Sequence, residues 1–251
     1  MSLDPKLLER DPERVSRMFG EISPRYDLLN RVLSFGLDGA WRRTAVRMAE
    51  PEGARRVLDL ATGTGDLALE FLARREFRGD VLGLDLSEDM LAHARRKAAA
   101  RGVAGRVRFD VGDALGIPAP DGSVDVVSVG FGVRNFADLE RGLREAHRVL
   151  APGGRLAVVE FFRKPESPAI RLYLDEVLPR VGSWISRSRT AYAYLRQTGK
   201  GFLSPDEFVE RLSGLGFSPV VLRALTWRIA HVVVATKPPV RDPGPASEGR
   251  P

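Results

Sequence analysis

The run Val57-Leu58-Asp59-Leu60-Ala61-Thr62-Gly63-Thr64-Gly65-Asp66 is the stretch of this chain best suited to holding a ligand. Glycines at 63 and 65 let a ligand approach the backbone closely, and the helix expected to start there offers unpaired N–H groups. Asp85 follows Gly65 by 20 residues. A carboxylate at a strand end in that place can accept hydrogen bonds from ribose hydroxyls. These features fit a nucleoside-bearing cofactor without choosing which one. Gly63-x-Gly65-x-x-Ala68 also satisfies the dinucleotide fingerprint, so an NAD(P)- or flavin-dependent oxidoreductase stays open.

Three further positions bear on that choice. Asp59 ends an apolar run just before the glycines. A pyrophosphate gains nothing from negative charge there, whereas an ammonium or sulfonium would gain. Asp113, in Val111-Gly112-Asp113-Ala114, is placed to accept from an adenine amino group. Leu150-Ala151-Pro152-Gly153-Gly154 precedes another apolar run. Each alone is equally a turn or a solvated acid. In this order they resemble the class I methyltransferase fold. That resemblance implies S-adenosylmethionine as cofactor, S-adenosylhomocysteine as product, and no metal.

The elements that must carry these residues follow from periodicity. Residues 11–50 read as helices, with Leu28, Leu29, Val32, Leu33 and Phe35 near helical spacing. From residue 55 the pattern becomes strand, turn, helix, repeated. Apolar runs at 55–60, 81–85, 107–111, 124–130 and 156–161 read as strands. Residues 66–75, a stretch opening at Ser87-Glu88-Asp89, and residues 138–150 read as helices, the last ended by Pro152-Gly153-Gly154. A further helix opens at Ser204-Pro205-Asp206-Glu207, and runs at 220–222 and 231–236 suit an antiparallel pair. The expected fold is α/β: a Rossmann-like, doubly wound, seven-stranded sheet, mostly parallel with a final antiparallel strand and helices on both faces. Residues 1–50 are expected as an N-terminal helical lid and 51–237 as the methyltransferase domain. Within it, 163–200 reads as a basic, lid-like insertion, and 238–251, with five prolines, as a disordered tail.

Composition removes several functional classes. There is no cysteine, which excludes disulfides, thiolate nucleophiles and thiolate metal centres. Histidines at 93, 147 and 231 form no ligand pattern. No apolar run reaches 18 residues and no basic-then-apolar leader opens the chain, so a cytoplasmic protein is expected. The net charge of +6 is concentrated in residues 163–200, where eight Lys/Arg face three Asp/Glu among Tyr173, Trp184, Tyr192 and Tyr194. That segment suits an anionic membrane surface, and equally a solvated helical face. The Asn/Asp-Pro-Pro-Tyr motif of amine-directed nucleic-acid methylation is missing, as is a catalytic cysteine, so no nucleic acid partner is expected. Oligomeric state is not legible.

Longer motifs narrow the resemblance. They are Tyr26-Asp27-Leu28-Leu29-Asn30-x-x-Leu33-Ser34-x-x-x-Asp38-x-x-Trp41, Phe131-Gly132-Val133-Arg134-Asn135, and Arg148-Val149-Leu150-Ala151-Pro152-Gly153-Gly154-Arg155-Leu156 with Glu160. Together with Leu178-Pro179-Arg180-Val181-Gly182-Ser183 and Tyr192-x-Tyr194-Leu195, they resemble the ubiquinone/menaquinone biosynthesis C-methyltransferase family over about residues 15–237. Leu29, Asp38, Ala151 and Phe162 depart from its signatures. The resemblance implies methyl transfer to a ring carbon of a prenylated hydroquinone, demethylmenaquinol first, with another small-molecule acceptor as the alternative. It places Asp59, Gly63, Thr64, Gly65, Asp85, Asp113, Ala114 and Gly130 around the cofactor. Arg134 would stabilise a phenolate with Asn135 as hydrogen-bonding partner; the alternative is that both brace their loop. Tyr26, Asp27 and Asn30 fall to the lid, where Tyr26 is as readily a packing residue. Asp38 is expected as a solvated acid, and His147 and His231 as structural. A polyprenyl substrate also implies peripheral contact at the inner membrane face.

Overall fold

Strands and helices alternate because apolar runs of about six residues are interleaved with helical ones, and the computed structural model places the strands in one sheet. It describes residues 12–163 and 202–239. The basic insertion (but for Arg163) and the tail from residue 240 lie outside the described residues.

The strands are β1 (Arg56–Leu60), β2 (Asp80–Asp85), β3 (Val107–Val111), β4 (Val124–Gly130), β5 (Leu150–Glu160), β6 (Val220–Leu225) and β7 (Ala230–Thr236), in the order β3-β2-β1-β4-β5-β7-β6. The first five are parallel, and β7 runs antiparallel between β5 and β6. The expected sheet is therefore the observed one. Strand order reverses between β1 and β4, and in open α/β sheets the ligand crevice opens at the carboxyl ends of such a pair.

Helices cover both faces, so the central strands read as continuous apolar runs. One layer joins Leu58, Leu60, Val127 and Val158 to Leu143 of α5 (Leu139–Val149) and Phe208 of α6 (Pro205–Gly214). The other joins Val57, Val126 and Val159 to Trp41 of α2 (Asp38–Ala49), Phe71 of α3 (Asp66–Leu72) and Leu91 of α4 (Glu88–Ala100). Caps fix three of these helix starts. Ser87 Oγ accepts from Met90 N at 3.4 Å, Asp138 Oδ1 from Arg141 N at 3.0 Å, and Ser204 forms a reciprocal capping box with Glu207. No helix among the described residues is long and apolar enough to cross a membrane.

Local differences from the sequence expectation have physical causes. α5 ends at Val149, three residues before the expected Pro152-Gly153-Gly154 stop, and that segment lies inside β5. Leu150 already pairs with Val124, and Gly153 and Gly154 exchange backbone bonds with Lys237 at 2.8 Å, so the register absorbs a bulge. In α1 (Pro12–Leu33) the buried face is not the expected stripe. Met18 and Ile22, with Val15, Phe19 and Tyr26 beside them, form the inward row; Leu29 is buried, while Leu28, Val32 and Phe35 are exposed. Asp38 is buried rather than solvated: it accepts from Ser34 Oγ at 2.8 Å and pairs with Arg42 in the first turn of α2, where a negative charge suits the helix dipole.

Candidate active site

Backbone bonds build the site first. At the end of β1, Thr62 N donates to Leu84 O at 3.0 Å, which ties the glycine loop to β2. Gly63 N donates to Asp85 Oδ2 at 2.8 Å and Ser87 N to Asp85 Oδ1 at 2.9 Å. Asp85 thus holds the loop and the start of α4 together. Burial raises its pKa, against the pull of those backbone donors.

A cleft opens above these bonds. Gly63, Asp85, Asp113, Ala114, Gly130 and Asn135 line it, and Tyr26 of α1 closes one side. Asp113 Oδ1 accepts from Leu115 N at 3.0 Å. The other sequence-selected residues lie elsewhere. Asp59 sits beneath the loop, 1% exposed, accepting from Thr62 Oγ1 and Ser128 Oγ, both at 2.6 Å. Burial pushes its pKa up to about 6, against those two hydroxyl donors. Thr64 and Asp27 meet on the outer side of the loop: Thr64 Oγ1 donates to Asp27 Oδ1 at 2.5 Å, and Lys97 Nζ donates to Asp27 Oδ2 at 2.8 Å. Asp27 therefore fastens α1 to the loop and to α4. Lys97 also pairs with Asp66, whose pKa is raised by burial but lowered more by Arg42 and Lys97. Asn30 hydrogen-bonds Tyr26; burial raises the phenol pKa, and Asn30 and Arg134 oppose it.

Gly65 and Gly63 are both left-handed, at φ 80° and 55°, but differ in what surrounds them. A Cβ on Gly65 would stand 2.9 Å from Ala94 Cβ and from the Phe109 ring, whereas one on Gly63 would meet nothing within 4 Å. Gly65→Ala is therefore expected to add an overpacking cost of about 1–3 kcal/mol to the left-handed penalty of about 1 kcal/mol that Gly63→Ala carries alone. Urea unfolding of the two variants checks the order; equal midpoints would mean that α4 gives way freely.

Beyond β4, a short 3-10 turn (Val133–Asn135) carries the two expected catalytic residues to different places. Asn135 reaches the cleft, and its buried Oδ1 has no partner. Arg134 does not line the cleft. Its guanidinium is buried against the Glu160 carboxylate at the end of β5, with Phe161 5.7 Å away and Nε unpartnered. Glu160 is fully buried and also accepts from Phe161 N at 2.7 Å. Burial raises its pKa against the Arg134 charge.

Sequence reasoning missed several contributors. Val15, Ser16 and Phe19 of α1 line the cleft too, with Ser16 Oγ donating to Leu86 O at 2.9 Å, beside Asp85. Their spacing with Ile22 and Tyr26 was the available clue. Phe131, which lines the cleft at φ 57°, stacks on Phe161 at 4.7 Å, and Trp41 stands 5.7 Å from Phe161. Of the histidines, His147 packs edge-on against Phe217, and His231 lies opposite Glu160 across the β5–β7 pair with Nδ1 unpartnered.

Residues 8–237 match the model of the ubiE/COQ5 methyltransferase family. The chain is 49% identical over 224 residues to a demethylmenaquinone methyltransferase of Thermus thermophilus, covering 88% of this chain and 100% of that one. It is 41% identical to a ubiquinone/menaquinone biosynthesis C-methyltransferase of Geotalea daltonii, covering 92% and 99%. Among solved structures, an S-adenosylmethionine-dependent methyltransferase of Thermotoga maritima superposes with a TM-score of 0.62 at 23% identity, covering 89% and 99%, which shows a shared fold.

Proposed function

The chain belongs to the ubiE/COQ5 methyltransferase family, and from that membership we propose that it methylates a ring carbon of a prenylated hydroquinone, demethylmenaquinol foremost, with S-adenosylmethionine as donor. One observation of this molecule carries the reading. The β1/β4 crevice is lined by Gly63, Asp85, Asp113 and Asn135 together. That donor and acceptor set fits an adenosine with an amino-acid arm. Asp85 would take the ribose hydroxyls and Asp113 the adenine amino group. Gly63, Ala114 and Gly130 line the walls around them, Thr64 and Gly65 complete the loop behind Gly63, and Asp59 beneath the loop attracts the cationic end.

When bound, S-adenosylmethionine supplies a methyl group on a sulfonium, open to in-line attack. The chain's own task is to make a phenol ring carbon nucleophilic, which requires its hydroxyl to lose a proton. In the proposed site, Asn135 contacts the acceptor's oxygen, and Arg134, held by Glu160, places positive charge behind it and so favours the phenolate. Tyr26 and Asn30 of α1 close the cleft against water, while Asp27 fastens that helix down. Methylation then costs the acceptor one ring hydrogen, released as a proton.

Incubating the purified protein with S-adenosylmethionine and either demethylmenaquinol or its benzoquinol counterpart tests this. A product heavier by one CH₂ is expected from the first. Cofactor binding with no product from either quinol would overturn the acceptor assignment. A pH dependence should accompany it. Asp59 attracts a cation only when ionised, so affinity for S-adenosylmethionine is expected to be flat above a pH of about 6 and to weaken below it. Calorimetry across that window should show the decline for S-adenosylmethionine, and it should disappear in Asp59→Asn.

A further inference from the structure

The chain from Gly112 to Ser123 joins β3 to β4 without a helix or strand of its own. Pro118 and Pro120, with Gly112, Gly116 and Gly122, suit it to turns rather than to a regular element. Its first residues, Gly112, Asp113 and Ala114, nevertheless form part of the cleft wall. Asp113 is shaped by its own turn: Oδ1 accepts from Leu115 N at 3.0 Å, and the carbonyl from Gly116 N at 3.2 Å. Such a turn fixes the local shape of the loop, and only a bond from elsewhere fixes its place.

That bond comes from α5. Arg148 Nη2 donates to Ile117 O and Nη1 to Ala119 O, both at 2.9 Å, and Nη1 also to Asp121 Oδ1 at 2.6 Å. Nε and Nη2 donate to the two carboxylate oxygens of Glu145, at 2.8 Å each. Glu145 Oε2 in turn accepts from Ile117 N at 2.9 Å, and Arg148 O from Gly122 N at 3.0 Å. Every N–H of the guanidinium is thus engaged. Hydrogen bonds from Arg148 hold the Glu145 carboxyl below its usual range, so the pair stays ionised. One residue pair so ties the loop to α5 at Ile117, Ala119, Asp121 and Gly122. The Arg148 side chain is 31% exposed, so the pair adds little to the core, and what it fixes is the place of one loop.

We propose that Arg148, braced by Glu145, is the positioning residue for the adenine end of the site. It sets where Asp113 stands, and through Asp113 how strongly the cofactor's amino group is recognised. The inference rests on the proposed placement of adenine against Asp113. The planar fork is required, because a single ammonium does not span two carbonyls and both oxygens of a carboxylate.

Calorimetry with S-adenosylhomocysteine and S-inosylhomocysteine, which carries an oxygen in place of the adenine amino group, tests this. The parent is expected to bind the inosyl compound about tenfold more weakly or worse, since Asp113 would face it acceptor to acceptor. In Arg148→Met that preference should shrink to about threefold or less, with the loss falling on the adenosyl compound. The KM for S-adenosylmethionine should rise by a larger factor than kcat falls. Arg148→Lys should recover little, and Glu145→Gln should fall between the two. Amide exchange in Arg148→Met should quicken at Ile117 and Gly122 but not in β1 or β4, which separates a released loop from a failing fold. An undiminished preference for the amino group in Arg148→Met, or exchange that quickens across the whole sheet, overturns the positioning role. A parent indifferent to the amino group fails the Asp113 assignment instead. The anchoring of the loop by Arg148 is then supported by selective exchange at Ile117 and Gly122, and overturned by its absence.

Discussion

Replacing Glu160 by alanine is expected to lower stability by about 3–5 kcal/mol, because it strands the buried Arg134 guanidinium without its carboxylate. Arginine cannot shed its proton within the working range, so the stranded charge of this variant persists at every pH. The partner variant behaves differently. Arg134→Ala leaves a fully buried carboxylate whose pKa is already raised by burial, and losing the compensating charge raises it further. An acid whose folded pKa is raised costs stability as pH climbs through the interval from its unfolded to its folded value. Arg134→Ala should therefore be milder at a pH of about 5 than at a pH of about 8. Urea unfolding of both variants at the two pH values separates them. A Glu160→Ala loss below about 1 kcal/mol would mean that water reaches the pair and screens it. Turnover should fall steeply in both, since Asn135 follows Arg134 in the same turn. Glu160→Gln, which keeps shape and a hydrogen bond, should retain more of it.

Asp85→Ala is expected to weaken S-adenosylmethionine and S-adenosylhomocysteine alike by about ten- to a hundredfold, the equivalent of about 1.5–3 kcal/mol. The two ligands share the ribose that this carboxylate would accept from. The structure adds a second reason for a large effect. Gly63 N and Ser87 N both donate to Asp85, so its removal leaves one donor of the loop and one at the start of α4 unpaired. Asp85→Asn should rescue little, because its amide nitrogen would face one of those N–H groups donor to donor. Calorimetry on the alanine and asparagine variants, with circular dichroism to confirm the fold, gives the answer. Unchanged affinity in Asp85→Ala would remove this residue from the site.

Much of the architecture could be read along the chain because it depends on local periodicity. Period-two and short apolar runs became the strands, Ser87 and Ser204 became caps, and the two glycines took the left-handed turns that only they adopt without strain. The parallel sheet followed from alternation alone, since strands separated by a helix must cross over in the same sense. Boundaries were less secure where a tertiary partner decided them. The Pro-Gly-Gly segment stays in the sheet because Lys237 pairs with it from the far end of the chain.

The site divided along the same line. Asp85 ends β2 and Asp113 follows β3 by two residues, both at the crevice, so their sequence positions already implied that they face it. Asp59, Asp27 and Arg134 come from equally suggestive motifs, yet they lie under the loop, on its outer edge and behind the wall. Nothing local separates these cases, because each is settled by a partner far along the chain: Ser128 for Asp59, Lys97 for Asp27, Glu160 for Arg134. The sequence determined which charged groups the loops carry. Which of them meet a ligand and which meet each other was left to the packing of β4, β5, α1 and α4, since a buried charge takes the nearest counter-charge or donor that folding brings to it.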